Sequence, residues 1–209
     1  MFSIFKIFKK KKIVPHIRLS GVIGAVGKFK QGLDFAGQKE IIEKAFSIKK
    51  AKAVAISINS PGGSPVQSHL IYSFIRKQAK KNKKKVLVFA EDVAASGGYL
   101  IACAGDEIYA NSSSIVGSIG VIYSSFGLQD LIKKAGIQRR IYTAGKNKST
   151  LDPFVEEKRE DIERLKKIQL ELHSDFIKVV EDSRSNKLKK DGNPELFTGE
   201  FWSGSTAKK

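Results

Sequence analysis

Cysteine is almost absent from this chain: there is one, Cys103, in 209 residues. A single thiol excludes an internal disulfide framework and a cysteine-built metal site. It lies in the apolar run "GYLIACAG", which predicts a small buried hydrophobe rather than a nucleophile. Acid is also scarce, with 21 Asp and Glu against 38 Lys and Arg and a formal net charge of +17. Such a surface attracts anionic lipid or nucleic acid. Most of the lysines are scattered, however, as on solvated helix faces. Two clusters are denser, Lys9–Lys12 and Lys80, Lys81 and Lys83–Lys85. The second fits the end of a helix, where the dipole favours cations. No nucleic-acid motif accompanies the charge, and "AGKNKS" lacks the spacing of a phosphate loop, so no nucleic-acid partner is expected.

Also missing is any apolar run near the ~20 residues that span a bilayer. The opening "MFSIFKIFKKKK" is too short in its apolar part for a signal peptide, and its basic block is on the wrong side. Phe2, Ile4, Phe5, Ile7 and Phe8 followed by lysines fit a segment lying in a membrane interface, and equally a disordered basic start. Residues 1–13 are therefore set apart, with peripheral contact to anionic membrane through Phe2–Lys12 as the expectation. The remainder, residues 14–209, has enough of the chain's 41% hydrophobic content for one α/β domain.

Short apolar runs alternate with helical stripes. Ile17–Ile23 reads as a strand and Gln38–Phe46 as a short helix, with Ile41, Ile42, Ala45 and Phe46 on one face. "AVAISI", Ala53–Ile58, reads as a strand covered on both sides. "NSPGGSP" stops it, with Ser64 as N-cap and Pro65 as first helical residue. Val66, Leu70, Ile71, Phe74 and Ile75 form the stripe that follows. Val86–Ala90 is the next strand, Gly97–Ala104 a short helix and "EIYA" a strand. Val116–Ile122 is apolar and broken by glycine. Leu128–Ala135 is helical up to Gly136, and Ile137–Thr143 reads as a strand. From Asp152, an N-cap followed by Pro153, a long amphipathic helix is expected to about Ser183, with Ile162, Leu165, Ile168, Leu172, Phe176 and Val179 on its apolar face. "SNKLKKDGNPE" reads as a mobile loop. Alternating elements predict a mainly parallel sheet with right-handed crossovers.

The chemistry centres on "EDVAASGGYLIACAGDEI", Glu91–Ile108. It sets Ser96 between two alanines and two glycines, after a strand and at the start of a helix. A helix start exposes unpaired N–H groups, which can receive negative charge on a carbonyl attacked by the hydroxyl. Gly97 and Gly98 let a substrate backbone approach. "NSPGG" is a second such turn, and ends of parallel strands share one edge, so the Gly63 and Gly97 N–H groups can converge on one oxyanion. Either turn alone would be ordinary close packing; two at strand-to-helix junctions favour a site. The serine needs a base. His16 precedes the first strand, His69 lies on the helix after "NSPGG", and His173 sits among Glu171, Ser174 and Asp175, where a solvated position is the default. A lysine kept neutral by burial is the other choice. "TAGKNKSTLDPF" offers Lys148 and Lys146 between a strand and the long helix, and composition does not separate them.

Taken together, "INSPGGS", "DVAASGGYLIA", "SSIVGSIGVI" and "AGKNKSTLDPF" resemble the bacterial signal peptide peptidase A family, serine–lysine peptidases associated with membranes. The resemblance runs from about Val14 to the end. It implies the Clp/crotonase-like α/β fold, a superhelix of repeated β-β-α turns with a mainly parallel sheet. It also implies Ser96 as nucleophile, Lys148 rather than Lys146 as general base, Ser118 as the residue orienting that lysine, and Gly63 and Gly97 as the oxyanion hole. Residues 14–209 would then be a catalytic domain for peptides such as cleaved signal peptides or misfolded membrane proteins. It would need no cofactor or metal, and would form a homo-oligomer whose sites are shared between subunits. Such a protein would sit peripherally at a bacterial inner membrane or in the cytoplasm. The family usually has a transmembrane segment where this chain has only Phe2–Phe8. It usually also continues beyond "FTGEFWSGSTAKK", which leaves the C-terminal edge incomplete in expectation, with Phe197–Trp202 packed on the core. The alternatives are a crotonase-type acyl-CoA enzyme and a non-catalytic membrane-associated scaffold.

Overall fold

A computed structural model describes residues 12–24, 32–185, 187–188 and 194–207. Phe2–Lys11, most of the expected membrane segment, lie outside the described residues, as does most of the expected loop after Ser185. The chain divides into two compact units. One is Met1–Ile119 with Ile177–Lys209, and the other is Gly120–Phe176.

The first unit begins with strand β1, His16–Ser20, helix α1, Phe35–Ser47, and strand β2, Ala53–Ser60. Helix α2, Pro65–Asn82, strand β3, Lys85–Ala95, and helix α3, Gly97–Ala102, follow. Strands β4, Glu107–Ala110, and β5, Ile115–Gly117, come next. β1, β2 and β3 are parallel neighbours. β3 is long enough to change partner, pairing β4 through Leu87–Ala90 and β5 through Val93–Ala95, both parallel. This is the expected mainly parallel sheet. Helix starts follow the sequence closely. The Asp34 carboxylate caps α1 by accepting the Gly37 N–H at 2.7 Å. Ser64 caps α2 ahead of Pro65, accepting the Gln67 N–H. α2 ends with Lys83 in the left-handed conformation, and Lys80 and Lys81 occupy its last turn as the dipole favours.

One face of this sheet is the core. Ile17 and Leu19 of β1, Val54, Ile56 and Ile58 of β2, and Val86, Val88 and Ala90 of β3 are buried there with Ile42, Phe46, Ile71 and Ile75 of the helices. Each large side chain so buried contributes ~1.5–3 kcal/mol relative to exposure. The other face corrects an expectation. β2 alternates between buried and half-buried rather than being covered on both sides, and Phe89 and Tyr109 stack on each other while remaining exposed. Polar pairs link this face across strands. His16 shares a 2.8 Å hydrogen bond with Ser57, and Arg18 holds Glu91 through two nitrogens. α2 is also rotated from the expected stripe. Ile71, Ile75, Gln78 and Ala79 face inward, whereas Val66 and Leu70 are exposed. Cys103 is buried as expected, and burial pushes its thiol up to about 11.

The second unit contains helix α4, Gln129–Lys134, and the start of α5, Arg159–Arg184, within which the division between units falls. Two expectations fail here. Ile137–Thr143 forms no strand: no described segment pairs with it, and it is exposed throughout. The long helix begins at Arg159 rather than behind Asp152. The Asp152 carboxylate accepts the Phe154 N–H at 3.0 Å and pairs with Arg139, so it closes a turn instead of capping a helix. Those contacts, the backbone N–H first, hold this carboxyl below its ordinary range. Along α5, Phe176 and Val179 are buried, but Ile168 is exposed. The last strand, β6, Phe201–Ser203, returns to the first unit antiparallel to β5.

Candidate active site

The site is built where β2 and β3 end. Their register shifts between Ile58, opposite Ala90, and Ser60, opposite Ala94. The extra length in β3, around Glu91–Val93, is held by side chains. Asn59 accepts the Val93 N–H at 3.2 Å and donates to Asp92 at 2.7 Å, and the buried Ser114 hydroxyl donates to the Glu91 carbonyl at 2.6 Å. Such a bulge bends a strand and re-aims its end. Beyond it β3 joins β5, and Ala94 and Ala95 lead into Ser96.

Ser96 stands in a conformation that L-residues rarely adopt, φ +51° and ψ −124°. Its N–H donates to the Gly117 carbonyl at 2.8 Å, and its carbonyl accepts from Leu100 at 3.0 Å. Backbone bonds on both sides therefore hold the turn. The side chain makes no capping bond to α3, so among the described residues the hydroxyl has no partner that would compete for it. The small neighbours are needed for packing. A Cβ on Gly98 would lie 2.6 Å from the Ser60 carbonyl oxygen, and one on Gly97 would strike the Ser68 hydroxyl.

The second turn abuts the first. A Cβ on Gly62 would sit 2.7 Å from that of Ser96 and 2.9 Å from the Gly97 nitrogen. On the other edge of the Gly62–Ser64 strand-like segment, Ile23 donates to the Gly62 carbonyl at 2.8 Å and accepts from Ser64 at 2.8 Å. The peptide joining Gly62 to Gly63 is trans, so the Gly63 N–H points opposite to the Gly62 carbonyl and away from Ile23. Gly97 is the first residue of α3, so its N–H has no intrahelical acceptor. Two turns thus meet at the serine, and each carries a glycine N–H. Gly63 takes φ +143°, and a Cβ there would collide with the Ile23 carbonyl. Gly63→Ala is expected to destabilise by about 2–4 kcal/mol in urea denaturation, from overpacking and backbone strain. Gly127→Ala, with open space around it and no positive φ, should be close to neutral.

Ser118 follows Gly117, the acceptor for the Ser96 N–H. It also has positive φ, +55°, and its N–H donates to the Glu200 carbonyl at 2.6 Å. The Trp202 ring fills the space where Gly117 lacks a side chain, 2.7 Å from the Cβ position. In this way β6 supports the turn carrying Ser118, although Phe201 itself is exposed. Ser96, Gly63, Gly97 and Ser118 are thus gathered in the first unit. Lys148 belongs to the second. It lies on an exposed turn, its N–H donating to the Gly145 carbonyl at 3.2 Å, with Thr150 closing onto the Asn147 carbonyl at 2.8 Å. Lys146 is exposed on the same turn. His16 and His69 are exposed, while His173 is half-buried rather than solvated.

Sequence reasoning missed Gly62, whose close approach joins the two turns, and the Asn59–Asp92 pair that aims the end of β3. The doubled glycine was the available signal for the first. The second has none, because an Asn and an Asp thirty-three residues apart show no periodic relation. Among the described residues no acid, histidine and cysteine cluster fits a metal ion, and no helix is long and apolar enough to cross a membrane.

The model of peptidase family S49 matches residues 78–209. The chain is 60% identical over 195 residues to a Brucella melitensis protein named Na(+)/H(+) antiporter NhaA, covering 93% of this chain and 26% of that protein. It is 32% identical over 195 residues to the chloroplastic serine protease SPPA of Arabidopsis thaliana, covering 88% of this chain and 28% of that one. The chain therefore spans only about a quarter of the length of either relative. A solved ClpP1 variant from Listeria monocytogenes superposes with a TM-score of 0.52 at 15% identity, over 92% of this chain and 85% of that one. The fold is thus the expected Clp/crotonase-like one.

Proposed function

The chain belongs to peptidase family S49, and on that premise we propose that it is a serine endopeptidase with Ser96 as nucleophile and Lys148 as general base. The observation that carries this reading is Ser96 itself. A serine in a strained conformation, its hydroxyl uncommitted among the described residues, stands where two backbone turns meet, each offering an N–H. In the reaction the Lys148 amine takes the Ser96 proton as Oγ attacks the peptide carbonyl. The Gly63 and Gly97 N–H groups receive the oxyanion, each such donor worth ~3 kcal/mol in the transition state. The Lys148 ammonium then protonates the leaving amine, and an acyl-enzyme forms at Ser96. The same amine next activates water, which releases the acid and restores the serine. Ser118 orients the lysine. No step calls for a metal or cofactor.

The substrates proposed are extended apolar peptides, such as cleaved signal peptides or misfolded membrane proteins. The working form is a homo-oligomer in which one copy's Lys148 serves the Ser96 of its neighbour. Location is peripheral at a bacterial inner membrane, or cytoplasmic. A fluorophosphonate probe tests the chemistry. It should label the wild type on Ser96, leave Ser96→Ala unlabelled, and react with Lys148→Ala at least about a hundredfold more slowly, the scale of general-base assistance. Equal labelling of Lys148→Ala would remove the lysine from the mechanism. Lack of labelling in the wild type would favour the crotonase-type alternative, which uses the two N–H groups and needs no nucleophilic serine.

A further inference from the structure

The edge of the sheet remote from Ser96 gathers cations that are separated in sequence. β1, β2 and β3 are parallel, so all three begin at one edge. The chain enters β1 there from Lys12, leaves α1 for β2 through Lys49, Lys50 and Lys52, and leaves α2 for β3 through Lys80, Lys81, Lys83, Lys84 and Lys85. Contacts tie the two crossover ends together. The Lys85 N–H donates to the Lys52 carbonyl at 3.2 Å, and the buried Lys84 ammonium donates to the Ile48 carbonyl at 2.6 Å. Lys12, Lys49, Lys50, Lys52, Lys80, Lys81, Lys83 and Lys85 are exposed. Among the described residues none of these ammonium groups pairs with a carboxylate. An open groove beside them is lined by Arg76, Lys77, Lys80, Lys83 and Lys85, and its one acid, Asp106, is already held by Arg76 at 2.9 Å and by the Val86 N–H at 2.7 Å.

Helix ends favour cations only within the last turn, which accounts for Lys80 and Lys81 and leaves the rest of the edge unexplained. Eight like charges on one edge repel one another unless an anionic surface faces them. Apolar side chains are interspersed: Ile13, Val14 and Ile48 are exposed at the same edge. Cations mixed with aliphatic groups fit a bilayer interface, where phosphates meet acyl chains. A nucleic-acid backbone would leave the apolar groups without a partner.

We propose that this edge of the first unit is a docking surface for an anionic phospholipid bilayer, formed jointly by the Lys49–Lys52 and Lys80–Lys85 crossovers. Ser96 lies at the opposite end of β3, up to ~35 Å away along an eleven-residue strand. Docking at this edge therefore leaves the Ser96 end of the sheet uncovered. The inference rests on the topology and holds whether or not the chain is a peptidase.

The test uses the full chain and vesicle flotation. Wild type should partition onto phosphatidylcholine vesicles containing one third phosphatidylglycerol, stay off pure phosphatidylcholine, and be released by high salt. Lys49→Gln, Lys50→Gln, Lys80→Gln and Lys81→Gln together, with residues 1–12 intact, should weaken partitioning at least ~50-fold. A variant with the same charge loss in the second unit, Lys133→Gln, Lys134→Gln, Lys166→Gln and Lys167→Gln, should stay within about threefold of wild type. Circular dichroism melting checks that both fold; the loop pair Lys49→Gln and Lys50→Gln alone, expected to show an intermediate loss, serves if the quadruple variant does not. The proposal is overturned if the edge variant binds like wild type, if both variants lose equally, or if duplex DNA displaces the protein from vesicles at equal phosphate.

Discussion

Ser96→Ala should lower peptide hydrolysis at least ~10⁴-fold while leaving thermal stability nearly unchanged. The residual rate would come from the two N–H donors and substrate binding, which persist without the nucleophile. Stability is the more discriminating readout, because it separates the hydroxyl from the backbone. Alanine inherits the same φ of +51° and the same strain. Ser96→Gly should be equally inactive but more stable. Relief of ~1–3 kcal/mol of strain, against ~0.5–1 kcal/mol for the extra freedom of glycine when unfolded, leaves a net gain of ~1 kcal/mol. For a chain of this size that raises the melting temperature by ~2–4 °C. The conformation is thus strained for the sake of the hydroxyl's position, and removing the serine should release that strain. Wild-type hydrolysis by purified Ser96→Ala would rule out the serine mechanism. Identical melting of the Ala and Gly variants would show that no strain is held at this turn.

The two glycine turns were legible in the sequence because each breaks an apolar run with residues that have one common use, close backbone approach. Asp34 and Ser64 show how local the legible part is. Asp34 caps α1, although periodicity alone starts that helix only at Gln38. Ser64 caps α2 where it was expected. What could not be read depends on partners far away in the chain. Val66 and Leu70 fit a helical stripe with Ile71 and Ile75, but which hydrophobic face turns inward depends on the sheet beneath it. Ile137–Thr143 is rich in apolar and β-branched residues, yet strand structure requires a neighbour to accept its N–H groups. Asp152 followed by Pro153 spells a helix start, but Arg139 and the Phe154 N–H claim the carboxylate first. The half-covered sheet face has the same origin: Ala55, Ser57 and Leu87 are apolar or small enough to be fully covered, and only the fold reveals that they stay half-buried. The four site residues of the first unit lie within or beside these local signals. Lys148 does not, and its role is carried by resemblance to the family rather than by any contact.

That difference makes the lysine the subject of the most informative experiment. Ser96→Ala and Lys148→Ala chains, each inactive alone, should recover about a quarter of wild-type activity per site when co-assembled in equal amounts. The fraction follows from a ring of head-to-tail contacts in which each site takes its serine from one copy and its lysine from the next. Half of the serine positions then hold an intact Ser96, and half of their neighbours an intact Lys148. Lys148 is exposed, on a turn held by the Gly145 and Asn147 carbonyls. Lys148→Arg mixed with Ser96→Ala should recover to the same extent, because the serine-bearing chain need not supply the base. Lys148→Arg alone should stay inactive, since a guanidinium keeps its proton. Recovery to a quarter would establish both the base and the sharing of sites. Verified mixed oligomers without recovery would confine each site to one chain. Unimpaired hydrolysis by Lys148→Arg alone would shift the search to another base, with Lys146 on the same turn and the half-buried His173 on α5 as the next residues to replace.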